Sequence, residues 1–278
     1  MAGLFQNILI PVDLTINTDV AVKKAMELAE NNSMVHLLYV QNFAFPGIAG
    51  IAKKHCVRTN ELPGNTFIEK SLNLWKNKIE ESTNNITVHT WNILADSIQR
   101  TIEIKAKQLA VDLIIIGKKS HHSWLPFLNT VVPSQVARKT GITVITVKPG
   151  SINNKMKTVV LPISSESVKH KMEVIADISR KYRIKVYLVI IMDRGTESEN
   201  LYSSTLLQLY QWLNTIGCPV EYAVLSGHNK AKAILNYAER INADILLLEP
   251  ETETRIGWPN KHISDVLPFE SKLQVWAV

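Results

Sequence analysis

The sequence predicts an α/β protein with two tandem, doubly wound, mainly parallel five-stranded sheets and helices on both faces. Three observations lead to this fold class. The chain has 278 residues, which exceeds one typical core of roughly 100 to 200 residues. Apolar runs of strand length alternate with helical patterns, the order expected of parallel strands joined by crossovers. Similar landmarks recur in both halves in the same order, which indicates a duplication.

The first half contains five candidate strands and two clear helical patterns. The strands lie at about 6–12, 34–40, 86–91, 112–116 and 143–147. The first helix is marked by Val20, Ala21, Ala25, Leu28 and Ala29, and the second by Ile98, Ile102, Lys105, Ala106 and Leu109. Asn17, Thr18 or Asp19 is available to cap the first helix, because short polar side chains accept hydrogen bonds from free backbone N–H groups.

The second half repeats this arrangement. Its candidate strands lie at about 157–162, 184–191, 219–225, 244–248 and 273–278. Residues 7–13 are echoed at 158–164, residues 110–117 at 242–249, and residues 141–147 at 271–278. A Pro/Gly/Ser/Asn cluster at 148–154 has the composition of a linker. We therefore expect one domain at 1–150 and a second, more divergent domain at 151–278.

Composition excludes several classes of protein. Cys56 and Cys218 are far apart and form no zinc spacing, so we expect neither a disulfide framework nor a bound metal. No signal peptide or membrane-length apolar run is present, which favours a cytoplasmic protein without a membrane partner. The net charge is +6, but Lys and Arg are scattered, so we expect no nucleic-acid partner.

The longest insertion runs from Gln41 to Gly64 and begins with an apolar stretch. Long loops are commonly functional or mobile. A hydrophobic flap packed on the protein itself is one interpretation, and a lid over a ligand is the other.

Candidate ligand-binding residues follow the strands. In an open parallel sheet, ligands bind beyond the carboxyl ends of the strands where the strand order reverses. Asp13 ends the first strand, Val40 ends the second, and residues 117–120 follow the fourth, so these positions are candidates to line one crevice. For Val40, a role in the core alone is the simpler interpretation.

The first half resembles the universal stress protein family. The residues that carry this resemblance are 7–13 with the helix that follows, 111–117, and 136–147. The blocks match the family in order and spacing over nearly all of residues 1–150. The echoes in the second half are similar but weaker, so the whole chain resembles a tandem universal stress protein.

The resemblance also implies a position for an ATP site. Family members that bind ATP share Gly-x-x-Gly, nine further residues, and then Gly-Ser or Gly-Thr, because glycine lets backbone N–H groups reach phosphate oxygens. Here Gly117 matches the first glycine, Ser120 replaces the second, and Thr130 with Val131 occupies the final pair. Thr130 is available as a hydroxyl donor after a shift of one residue. Because one glycine of three remains, the sequence predicts that ATP binding is largely lost.

Three residues near this site have alternative interpretations. Asp13 matches the family's acidic residue near the adenine and ribose, but Asp is also a common cap or turn residue. Lys118 and Lys119 offer positive charge in compensation for the lost glycines, but solvated surface lysines are the commoner explanation.

The second half departs further from the family pattern. Ser164 replaces the acidic residue, and residues 249–257 contain three glutamates, which would repel phosphate. We expect this stretch to be a solvated loop, with cation binding as the alternative. His121 and His122 are expected to be surface residues, since adjacent histidines point in different directions and no third ligand accompanies them.

No catalytic motif is present in the sequence. The sequence therefore predicts a non-catalytic, cytoplasmic stress-response protein that acts by binding or assembly, with no cofactor. The alternative is an adenine-nucleotide-binding switch or weak ATPase that uses Asp13, Gly117, Ser120 and Thr130. In the family the last strand often pairs domains, so residues 143–147 and 273–278 are candidates for pairing within the chain, and a homodimer is a further assembly to consider.

Overall fold

The structure is a computed structural model that describes residues 5–42, 65–82, 85–118, 131–163, 169–192, 199–227, 229–250 and 262–278. The strands are β1 (Phe5–Val12), β2 (Ala29–Asn42), β3 (Thr87–Ala95), β4 (Leu113–Gly117), β5 (Thr143–Val147), β6 (Thr158–Pro162), β7 (Lys185–Met192), β8 (Val220–Ser226), β9 (Ile245–Leu248) and β10 (Gln274–Ala277). The helices are α1 (Ile16–Leu28), α2 (Asn65–Ser82), α3 (Ile98–Gln108), α4 (Pro133–Thr140), α5 (Lys169–Lys181), α6 (Glu199–Thr215), α7 (Lys230–Arg240) and the short α8 (Ile263–Val266).

The two halves have the same strand order. The first half runs β3-β2-β1-β4-β5 and the second runs β8-β7-β6-β9-β10. All neighbours within each half are parallel. The α/β class and the doubly wound five-stranded pattern are thus confirmed for both halves.

The two five-stranded units are joined into one ten-stranded sheet. Strands β5 and β10 pair in the antiparallel direction, with Ile145 opposite Trp276. Trp276 is fully buried and its ring centroid lies 6.4 Å from that of Phe5. The junction between the halves is therefore part of the core.

Helices cover both faces of this sheet. On one face, apolar residues of α1, α2, α5 and α6 belong to a single buried cluster that spans both halves. On the other face, α3 and α4 cover the first half, and α7 and α8 cover the second, in two separate clusters. The first of these cores draws buried residues from helices of both halves, and Ala277 of β10 joins the cluster beneath α3 and α4.

The predicted linker contains a tightly packed turn. Residues Pro149–Asn153 form a 3-10 helix, and the N–H of Gly150 donates to the carbonyl of Phe269 at 3.0 Å. A Cβ at Gly150 would lie 2.0 Å from the carbonyl oxygen of Glu270, so only glycine fits there. The predicted domain boundary at residue 150 falls within this turn.

Among the described helices, none combines the length and the apolar character that a membrane crossing needs.

Candidate functional site

The strand order of the first half reverses between β1 and β4, which places a crevice at the carboxyl ends of these two strands. Asp13 follows β1 directly, and Gly117 is the last residue of β4. Ser120 and Thr130 lie outside the described residues, as do Lys119, His121, His122, Ser164 and residues 43–64.

Gly117 permits a close contact between β4 and α1. A Cβ at this position would lie 2.1 Å from the carbonyl oxygen of Asn17, a distance that real Cβ atoms essentially never reach. The first turn of α1 therefore rests on the bare backbone at the end of β4. Packing alone requires glycine here, whether or not a ligand binds.

The carboxylate of Asp13 organises the turn between β1 and α1. One oxygen, Oδ1, accepts from Thr15 N (3.0 Å), Thr15 Oγ1 (2.7 Å) and Thr18 Oγ1 (2.9 Å). The other, Oδ2, accepts from Asn17 Nδ2 (3.1 Å). Asp13 therefore stabilises the turn through its side chain, and both of its carboxylate oxygens have partners within the turn.

The predicted helix caps Asn17, Thr18 and Asp19 are wrong, because α1 begins earlier. Thr15 is the N-cap, and its Oγ1 accepts from the N–H of Asn17 at 3.2 Å. Leu14 has a φ of 57°, which turns the chain within one residue and brings Thr15 to the cap position.

Val40 is a core residue. Its side chain is buried and belongs to the apolar cluster that also contains Leu9 and Leu38. The crevice at the ends of β1 and β4 is therefore framed by Asp13 and Gly117, while Val40 packs beneath α3 and α4.

The expectation that Lys118 is a solvated surface residue is wrong. Lys118 is only 3% exposed, and its ammonium group donates to the carbonyl of Val131 at 3.2 Å. The same group forms an ion pair with Oδ1 of Asp265, which belongs to the second half. The carboxylate of Asp265 in α8 thus contacts Lys118, the residue that follows Gly117.

Lys148 adds a second buried ammonium group beside this pair. It follows β5 directly and is fully buried. Burial, reinforced by the charge of Lys118 and opposed by that of Asp265, lowers the pKa of Lys148 to about 8. Burial alone would raise the pKa of Asp265, but Lys118 and the N–H of His262 reverse this effect, so the pKa lies below its usual value. Asp265 is therefore a carboxylate anion at neutral pH.

Further contacts hold α8 against the first half. The N–H of His262 donates to Oδ2 of Asp265 at 3.1 Å, which fixes the carboxylate from the other side. The Nδ1 atom of His262 lies 3.5 Å from Oγ of Ser134 in α4. We call Lys118, Lys148 and Asp265 the interdomain charge cluster.

The matching position of the second half also holds a buried ion pair. Glu249 stands where Gly117 stands in the first half, and the expectation that it belongs to a solvated loop is wrong for this residue, which is 7% exposed. Its Oε1 lies 2.6 Å from the ammonium group of Lys171. Lys171 also lies 3.5 Å from the carbonyl of Pro162 at the end of β6. Residues 251–257 lie outside the described part of the chain.

Comparison with known proteins identifies the family. The model of the universal stress protein family matches residues 4–148, which is more than half of the chain. The chain belongs to the universal stress protein family. Membership in this family supports a role in the stress response. No curated protein sequence matches the chain.

Solved structures show the same fold over the whole chain. A universal stress protein from Archaeoglobus fulgidus DSM 4304 is 16% identical, with a TM-score of 0.68 over 99% of this chain and 96% of that one. The cytoplasmic domain of a prokaryotic cation chloride cotransporter is 10% identical, with a TM-score of 0.53 over 98% of this chain and 94% of that one.

Three important residues of this universal stress protein were missed by sequence reasoning. Asp265 gave no signal, because its partner Lys118 is distant in the chain. Lys148 was hidden in the predicted linker. Lys171 did leave a signal: it stands three, four and seven residues before the buried Val174, Ile175 and Ile178, so it occupies the buried face of α5.

Proposed function

We propose that this universal stress protein is a non-catalytic, cytoplasmic stress-response protein that acts by binding or assembly, and that neither half retains the family's ATP site. The observation that carries the proposal is the pair of buried salt bridges at equivalent positions. Lys118–Asp265 lies at the end of β4, and Lys171–Glu249 lies at the end of β9. A nucleotide phosphate would have to displace a side-chain carboxylate at either position.

The energetics favour the state in which each carboxylate stays paired with its lysine. A buried lysine left without its partner would cost about 3–5 kcal/mol, because an unpaired charge would remain in the interior. A phosphate that displaced the carboxylate would first have to restore this pairing, so only the difference between the two pairings could contribute to its affinity. In the second half, Glu249 would also repel the phosphate directly.

Assembly is supported by the pairing of β5 with β10, which satisfies two strand edges within the chain. The outer strands of the sheet are then β3 and β8. We extend the proposal to a homodimer. Light scattering should give about twice the chain mass of 31.3 kDa. Cytoplasmic placement is supported by the likeness in fold to a cytoplasmic domain, and cell fractionation tests it.

Thermal unfolding with millimolar ATP and magnesium tests the loss of the site. We expect no change in Tm, because a ligand raises stability only through its binding to the folded state. A rise in Tm that increases with ATP concentration would refute the proposal.

A nucleotide-binding switch is the second candidate, and one observation favours it. Lys118 and Lys148 place two ammonium groups near the ends of β4 and β5, where a nucleotide phosphate would need positive charge. Under this alternative, Asp13→Asn should abolish any effect of ATP on Tm. Gly117→Val is unsuitable as a test, because a Cβ at Gly117 collides with Asn17.

A further inference from the structure

Strand β8 is an outer strand of the ten-stranded sheet, and it carries exposed apolar side chains. Tyr222 is 61% exposed and Val224 is 50% exposed. The N–H of Val186 in β7 donates to the carbonyl of Pro219, so Pro219 directs its backbone toward the sheet. Successive residues of a strand direct their N–H and C=O groups to opposite edges. The backbone groups of the even-numbered residues of β8 therefore point away from the sheet.

This edge has little of the protection that outer strands usually carry. Lysine, proline and bulges commonly keep an outer strand from pairing with another chain. The one charged residue of β8 is Glu221, which is held by Lys185 of β7 at 2.6 Å. The strand contains no proline and pairs with β7 without a break in register. An unprotected edge of this kind is a template for a further strand.

The sequence of β8 is complementary to itself. In an antiparallel pair related by a two-fold axis at Ala223, Tyr222 of one copy would lie opposite Val224 of the other, on both sides of the axis. Both members of such a pair have outward backbone groups, and antiparallel residues of this kind exchange two hydrogen bonds. The exposed apolar side chains of the two copies would then cover each other.

The same register pairs the ends of the strand and keeps like charges apart. Val220 would lie opposite Ser226, so every residue of β8 with outward backbone groups would have a partner. Glu221 would lie opposite Leu225 and not opposite its own copy, where like charges would destabilise the pair. A shift to a neighbouring register would leave one end of each strand without a partner.

The other outer strand, β3, is less suited to such a contact. Its exposed side chains His89, Thr90 and Asn92 are polar. The ring of Trp91 is already covered by Lys105, whose ammonium nitrogen lies 3.3 Å from the ring centroid. The chain itself joins its two halves by antiparallel pairing of the edge strands β5 and β10. Strand β8 offers the same kind of edge to a second copy.

We propose that two chains form the homodimer through antiparallel pairing of their β8 strands about Ala223. This inference rests on the proposed homodimer and names the surface that forms it. The pairing would continue the ten-stranded sheet of one chain into that of the other. One strand pair is a small interface, so the dimer should dissociate on dilution.

Light scattering over a range of protein concentrations tests this surface. The mass of the unmodified protein should rise from 31.3 kDa toward twice this value as the concentration increases. Tyr222→Lys should raise the dissociation constant of the dimer by about tenfold or more, because the lysine replaces an apolar contact with Val224 and lies diagonal to its own copy. Since the side chain of Tyr222 is exposed, the variant should keep the Tm of the unmodified protein at a concentration where both are monomers.

Thr90→Lys is the matched control for the added charge. Thr90 is exposed on β3, so this variant places the same charge on the edge that the proposed dimer leaves unpaired. Its dissociation constant should equal that of the unmodified protein. If Thr90→Lys alone weakened the dimer, the interface would lie on β3 and the proposal would be overturned.

A disulfide tests the register. The two-fold axis places residue 223 directly opposite its own copy, with about 4.5 Å between the Cα atoms, which a disulfide can span. In the same register, residue 221 lies about 13 Å along the strand from its copy. Mild oxidation should therefore link Ala223→Cys into covalent dimers on a non-reducing gel. Glu221→Cys should give no more dimer than the unmodified protein, which has the same native cysteines Cys56 and Cys218.

The proposed homodimer and its proposed interface fail in different ways. A mass of one chain at every concentration would refute the homodimer, and the β8 interface with it. A dimer of equal strength in Tyr222→Lys and Thr90→Lys would overturn the β8 interface alone and leave the homodimer intact. Equal crosslinking of Ala223→Cys and Glu221→Cys would likewise overturn the pairing about Ala223.

Discussion

At the scale of single residues, the decisive feature of this protein is the number of lysines in its interior. Lys24, Lys118, Lys148 and Lys171 are all almost completely buried. An ammonium group loses its hydration on burial, so each of these groups needs a partner or its pKa falls. Lys24 lies 2.5 Å from Glu27, and burial is the main cause that lowers its pKa.

The buried ammonium group of Lys148 should make the free energy of unfolding depend on pH in the alkaline range. Its pKa is about 8 in the folded protein against an ordinary value of 10.5, so between these values the unfolded chain binds more protons. Stability therefore rises with pH in this window, by up to about 3 kcal/mol. Urea unfolding at several pH values should show the rise, and Lys148→Met should remove this part of it. An identical alkaline profile in both proteins would contradict the assignment.

His36 should make the protein labile in acid. It is buried on β2, its ring stacks on that of His89 with centroids 5.3 Å apart, and its Nδ1 accepts from the indole N–H of Trp91 at 3.3 Å. Burial, followed by the charges of His89 and Lys105, lowers its pKa to about 4 from an ordinary 6.5.

Because the folded state keeps His36 neutral, its contribution to stability is complete above pH 6.5 and is lost as the pH falls toward 4. The loss should reach about 3 kcal/mol. Urea unfolding between pH 7 and pH 4 measures it. His36→Leu should flatten the profile, whereas the control His170→Gln, at an exposed histidine, should not. A profile unchanged in His36→Leu would refute the assignment.

At the scale of elements, the contact between α1 and β4 determines the shape of the candidate site. Gly117→Ala places a Cβ against backbone that cannot move without shifting α1, so we expect a loss of about 1–3 kcal/mol. Gly227→Ala is the matched control, because a Cβ there would lie at an ordinary 3.5 Å from Cβ of Ala233. Chemical denaturation of both variants measures the difference, and equal losses would contradict the packing role of Gly117.

The bounds of most strands followed from local sequence. Nine of the predicted strands match within a few residues, because continuous apolar runs between turn residues leave little alternative in a parallel sheet. The exception is β2, which begins at Ala29, a residue assigned to the preceding helix by its apolar spacing. The pairing of Ala29 with Phe5 extends the strand, and local periodicity does not encode that contact.

The chemistry of the candidate site was harder to predict than its location. The crevice follows from strand order, and the turn role of Asp13 follows from its place between a strand and a helix. The burial of Lys118 and Glu249 depends on Asp265 and Lys171, which fold against them from distant parts of the chain. When the partner is unknown, a charged residue at the end of a strand is expected to be exposed to solvent.

At the scale of the whole molecule, the halves are joined by a shared sheet, a shared core and a buried ion pair. The pairing of β5 with β10 makes one sheet of ten strands, and one apolar cluster runs beneath both halves. Lys181 and Tyr182 of the second half also donate to the carbonyl of Glu27 in α1, at 2.8 and 3.3 Å. The duplication seen in the sequence has therefore produced halves that depend on each other for burial.

In each half, a carboxylate paired with a buried lysine occupies the position where the family's nucleotide site begins. Mass spectrometry of the protein purified under native conditions shows whether a nucleotide is nevertheless bound. We expect no adenine nucleotide in stoichiometric amount. One nucleotide retained per chain would contradict it.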